Sequence, residues 1–138
     1  MNSIELRLEQ LSELTEEGAV GVLIDGTDLI ARLKDLERPL ACAEGHPKIV
    51  GACLGLPPSA VLSGLELAPD GRSTILGCEC GVFACWPFCV RITIDAATVK
   101  WLYFQQPFRP NWNYAGLGPF IFARAQYCAE IARIRAAR

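Results

Sequence analysis

The polar and apolar positions alternate at once: Ile4, Leu6 and Leu8 are interleaved with Glu5, Arg7 and Glu9, the period of a half-buried strand, although Leu11 and Leu14 would equally continue a helix begun at Leu8. After Gly18, the uninterrupted run Ala19-Val20-Gly21-Val22-Leu23-Ile24 reads as a strand covered on both faces. Asp25-Gly26 turns the chain. Thr27 is placed to cap a helix with Asp28 in its first turn, Leu29, Ile30, Leu33 and Leu36 on its inner side and Pro39 at its end. From Leu40 to Gly64 glycines and prolines break any long element, and Pro58 to Leu62 suits one helical turn. A turn at Pro69-Asp70-Gly71 leads into a strand from Ser73 to Glu79. Val90, Ile92 and Ile94 then oppose Arg91, Thr93 and Asp95, and Val99, Trp101 and Tyr103 share one side of the next strand, which predicts an antiparallel meander. A turn-rich aromatic loop from Phe108 to Pro119 precedes a last helix, Ala123 to Ala137, whose inner stripe is Tyr127, Ile131 and Ile134. Arg133, Arg135 and Arg138 near its C-terminus read as a solvated end suited to the helix dipole.

These elements make a single α+β domain over residues 1–138: an antiparallel sheet of about five strands flanked by two main helices. Composition changes the picture in one respect. Hydrophobic residues form 51% of the chain against 20% charged, and the mean hydropathy is +0.26, an apolar excess that suits a second subunit and leads us to expect a homodimer. The apolar runs are far too short to span a bilayer, and the N-terminus lacks the basic and apolar blocks of an export signal. With a net charge of -2, the chain carries no basic footprint for nucleic acid. Seven cysteines, an odd number, then read as thiols in a reducing cytoplasm.

Chemistry concentrates between Gly77 and Phe120. Cys78, Cys80, Cys85 and Cys89 lie within twelve residues, and thiolates bind zinc well. Their spacing departs from paired CxxC knuckles, and the neighbouring Phe83, Trp86 and Phe88 favour buried, inert thiols; no metal or cofactor is expected from the pattern. A cysteine nucleophile needs a base, and the single histidine, His46, has no local tie to any thiol. Asp25, Asp70 and Asp95 sit where turns use carboxylates, whereas Glu79, between two cysteines, is out of place unless it faces solvent or a cation. The loop around Trp86, Gln106, Arg109, Trp112 and Tyr114 combines aromatic walls with amide and guanidinium groups. It suits a small-molecule pocket or a protein interface, and it suits equally a loop pinned by its own rings and amides.

The run Leu76-Gly77-Cys78-x-Cys80-Gly81 with Cys85-Trp86-Pro87, then Val99-x-Trp101, Gln106-Pro107-x-Arg109, Trp112-x-Tyr114 and Leu117-Gly118-Pro119-Phe120-x-Phe122, resembles a family of small bacterial proteins to which no activity is attached. The resemblance covers the C-terminal half and implies a shared fold. It places histidine where this chain has Phe108, and aspartate at Asn113 and Ala123, so the chain lacks an ionisable pair in the aromatic loop and a cap on its last helix. The expectation is a non-catalytic module for a small molecule or protein partner, with a zinc protein or cysteine enzyme on the thiol segment as the alternative.

Overall fold

The alternation near the N-terminus builds an antiparallel pair, β1 (Ile4–Glu9) with β2 (Ala19–Ile24), extended by the short β3 (Thr27–Asp28) across the Asp25-Gly26 turn. In the computed structural model, residues 1–9, 18–66, 72–80 and 85–137 are described. The helical alternative at Leu11 and Leu14, the turn at Pro69-Asp70-Gly71, Gly81, Phe83 and Arg138 lie outside them. Every residue of β2 is buried, as its unbroken apolar run requires.

Asp28, rather than Thr27, caps α1 (Leu29–Ala43), its side chain accepting from the Ile30 N–H. The helix also runs through Pro39 instead of ending there. Asp35, whose carbonyl would have taken the missing fourth-turn bond, and Pro39 are both exposed, so water satisfies what the ring denies. A 3₁₀ turn (Pro47–Ile49), β4 (Cys53–Gly55) and α2 (Pro58–Glu66) follow, the last two full turns long where one was expected.

The meander is present as β5 (Arg72–Cys78), β6 (Phe88–Ile94) and β7 (Thr98–Gln105). With β4 and β8 (Phe120–Ala123) at its edges it forms a five-stranded antiparallel sheet in the order β4-β5-β6-β7-β8. The α+β class therefore holds, with two sheets where one was expected and a third helix, α2, packed against β5 and α3. α3 (Arg124–Ala136) has no side-chain cap at Ala123.

One hydrophobic core draws on both sheets: Leu6, Val22 and Ile24 from the first, Val90, Trp101 and Phe122 from the second. Tyr127 of α3 knits the layers, donating its hydroxyl to the Leu65 carbonyl at 2.7 Å and accepting from Trp101 Nε1 at 3.3 Å. The outer edge of β1 is closed by α3 side chains. Gln126 and Glu130 accept from the Ile4 and Leu6 N–H groups, and Arg133 donates to the Leu6 carbonyl. Arg133 and Arg135 are exposed in the last turn, as expected of a solvated helix end, and also pair with Glu130 and Glu66.

Candidate functional site

The aromatic loop is held by its own polar groups. Gln106, 1% exposed, donates to the Pro87 carbonyl at 2.9 Å and accepts from the Phe108 N–H at 2.8 Å, joining the loop to the start of β6. Arg109 lies over the rings of Trp86 and Trp112 at 5.3 and 5.9 Å, while Phe108 stacks on Trp86. Glu44, just past the end of α1, accepts from Arg109 Nε at 3.0 Å and from Trp112 Nε1 at 2.5 Å. Seven residues earlier on the same helix side, buried Glu37 accepts from the Tyr114 hydroxyl at 2.5 Å and the Gly51 N–H at 2.8 Å. Burial pushes the Glu37 carboxyl above its ordinary range, against the pull of those two bonds. The Tyr114 hydroxyl is pushed up, by burial first and then by Glu37.

Trp86, Gln106, Arg109, Trp112 and Tyr114 are therefore one connected set, but Gln106, Trp112 and Tyr114 are buried and spend their polar atoms on the protein itself. Neither carboxylate was singled out from the sequence. Glu37 carried a readable signal, since it continues the inward stripe Leu29-Leu33 by one more step of four. Its pairing with Tyr114, 77 residues away, left none.

The outer side of the loop and β7 enclose a groove of about 490 Å³, lined by Leu102, Phe104, Pro110, Trp112, Tyr114 and Pro119 among others. Exposed Tyr103 is among the lining residues. A bulge opposes Cys89 and Arg91 of β6 to Gln105 and Leu102 of β7, and within it Tyr103 takes φ +55, left-handed territory for a residue with a Cβ. Its ring is 72% exposed, with the Arg91 guanidinium 5.5 Å from its centroid. On its other side Arg72, Arg91 and Gln105 frame a shallow depression. Arg72 and Arg91 are direct cross-strand partners, and Arg72 donates to Gln105.

All seven cysteines are thiols. Cys53 is the buried, inert kind expected, pushed up to about 12 by burial and then by Glu37. Cys89 is buried too, its sulfur 3.5 Å from the Thr74 hydroxyl. The reading fails for Cys80 and Cys85, which are exposed and converge on Cys78 at the end of β5. Burial, with further rises from Cys80 and Cys85, brings Cys78 to about 11. Glu79 faces solvent, and His46 is exposed before the 3₁₀ turn. Asp95 accepts from the Ala97 and Thr98 N–H groups in its own turn, whereas Asp25 reaches back to the Ser3 N–H and to Asn2.

Among the described residues, no helix is long and apolar enough to cross a membrane. Comparison of the chain with protein-family models, with curated proteins and with solved structures finds no match, and its function is read from these residues alone.

Proposed function

We propose that the chain is a small, non-catalytic binding module that takes an amphipathic anion at the β7 bulge. The flat apolar body of the ligand lies in the groove beside Leu102, Phe104 and Pro119, and its acidic group meets Arg72 and Arg91. Tyr103 is the observation that carries this reading. A tyrosine with a left-handed backbone is held at a cost of about 1–3 kcal/mol, and such strain persists where the surroundings impose it, often at ligand clamps. The two arginines add a second argument. Like charges directly opposed across a ladder repel, and a carboxylate or phosphate between them turns that repulsion into paired charge-assisted bonds.

The groove volume lies within the usual range for small ligands. Trp86, Gln106 and Arg109 serve this site from behind, by fixing the loop that forms its wall. The partner is thus a small molecule, met in a reducing cytoplasm that keeps the seven thiols reduced. Self-association belongs to the proposal as a separate element, read by light scattering as one chain or two.

Naphthoate and its uncharged alcohol analogue test the reading by calorimetry. The acid is expected to bind and the alcohol to bind at least about tenfold more weakly, with Arg91→Ala erasing the difference. Tyr103→Gly is expected to abolish binding while leaving stability unchanged or raised by up to about 1 kcal/mol, because glycine relieves the positive φ. Equal affinity for acid and alcohol, or full binding by Arg91→Ala, would overturn the proposal.

A further inference from the structure

The connection from β5 to β6 carries a second site, whose residues do not line the groove. Cys78 ends β5, Cys80 follows in the turn, and Cys85 resumes the chain after residues 81–84, which lie outside the described set. The three sulfurs lie within 4.8 Å of one another. Apolar burial does not account for this, because Cys80 and Cys85 are exposed and gain little by facing each other. A tetrahedral zinc with bonds near 2.3 Å sets its sulfurs about 3.8 Å apart, so the cluster needs to contract by at most about 1 Å.

We infer that Cys78, Cys80 and Cys85 hold a zinc ion in a three-thiolate site whose fourth position is filled from solution. The donor set chooses the metal class. Three soft sulfurs exclude magnesium and calcium, and a tetrahedral site with one exchangeable position is familiar territory for zinc. Cys89 does not complete the set, since its sulfur is turned towards Thr74, and buried Cys53 lies outside the cluster although it is paired in register with Cys78. Binding is a ligand exchange: three thiols release three protons to the buffer, zinc loses coordinated water, and nothing is oxidised or reduced. The ion ties Cys85 to the end of β5 and so fixes Trp86, the next residue, beneath Arg109. The exposure of two ligands leaves the fourth position open to water or a small thiol.

The full chain, reduced and stripped with a chelator, is titrated with cobalt(II) and then zinc(II). One equivalent of cobalt is expected to give thiolate charge-transfer absorption and the intense visible bands of a tetrahedral site, both abolished by zinc. Cys80→Ser and Cys85→Ser should each weaken binding at least about a hundredfold, whereas Cys42→Ser and Cys128→Ser, exposed thiols elsewhere, should leave it unchanged. A readout on the unaltered chain guards against a variant that fails to fold: zinc should slow alkylation of Cys80 and Cys85 but not of Cys42, as read by mass spectrometry. Absence of stoichiometric binding at micromolar metal, equal sensitivity to Cys42→Ser, no protection of Cys80 and Cys85, or binding of copper(I) alone would each overturn the site. The naphthoate experiment reads a different set of residues, Arg72, Arg91 and Tyr103, so the two proposals fail separately.

Discussion

Glu37 shows how one side chain can report on the interior. Its carboxylate is shut between the Gly51 N–H and the Tyr114 hydroxyl, and burial raises its pKa above the ordinary 4.5. A folded value above the unfolded one means that the native state holds the proton more tightly. The stability gained in this way is complete below about pH 4.5 and is lost as pH climbs through the folded value. Glu37→Gln keeps both partners, with the tyrosine turned to accept from the new amide, and has no charge to bury. Its melting temperature is therefore expected to match that of the native chain under acid conditions and to exceed it progressively towards neutrality. The difference between the two proteins isolates this residue, because Asp25, Asp95 and Glu130, all held below their ordinary range, titrate identically in both. A constant difference across the pH range would show that Glu37 is ionised without penalty. Glu37→Ala, which strands an N–H and a hydroxyl, should cost about 3 kcal/mol.

At the scale of elements, the loop from Gln106 to Leu117 behaves as a wall rather than a strap. Trp112 is 6% exposed and its indole N–H is taken by Glu44, so Trp112→Ala is expected to cost about 3–4 kcal/mol in chemical denaturation. Arg109→Ala should cost no more than about 1 kcal/mol, since its ion pair with Glu44 is partly solvated and the rings beneath it stay packed. Equal, small effects would mean that the loop is loosely attached and that its groove is not preformed. Strands with a clean period were legible in the sequence: β1, β2 and the β5–β7 meander stand where alternation or continuous apolarity put them. Short or irregular elements were not. β4 and β8 have three and four residues, too few to show a period, and the Tyr103 bulge interrupts the alternation of β7 without any glycine to mark it. Pro39 misled for a related reason: the residue type favours a helix end, but on the exposed side of α1 the lost bond and the ring are accommodated. The aromatic loop was visible as a composition, but Glu37 and Glu44 come to it from a distant helix, and nothing local in the chain announces that meeting.

The molecule as a whole depends on how closely its two sheets meet. They touch at isolated bridges, Val20 with Leu56 and Asn2 with Phe122, supported by a 2.8 Å bond from the Val20 N–H to the Leu56 carbonyl and a 2.7 Å bond from the Asn2 N–H to the Ile121 carbonyl. At the first junction a Cβ on Gly55 would fall 2.4 Å from the Val20 carbonyl oxygen, with further backbone atoms of Val20 within 3.2 Å. Backbone cannot yield there as a flexible side chain would, because Val20 is wholly buried between β1 and the core. Gly55→Ala should therefore push β4 away from β2 and cost about 2–3 kcal/mol, at the upper end for overpacking. Global stability alone would not separate this from local strain, so amide exchange supplies the second reading. Val20, whose N–H bridges the sheets, should lose protection beyond what the global change accounts for, while Val90 and Ile92 inside the meander follow the global change. Gly51 offers the contrast. The atoms nearest a Cβ there belong to the Lys34 side chain, which can swing aside, so Gly51→Ala should disturb its own left-handed backbone and leave Val20 protected. If Gly55→Ala were tolerated within about 0.5 kcal/mol and Val20 exchanged as before, the sheets would not be in hard contact, and the single core shared between them would have to be held by the helices.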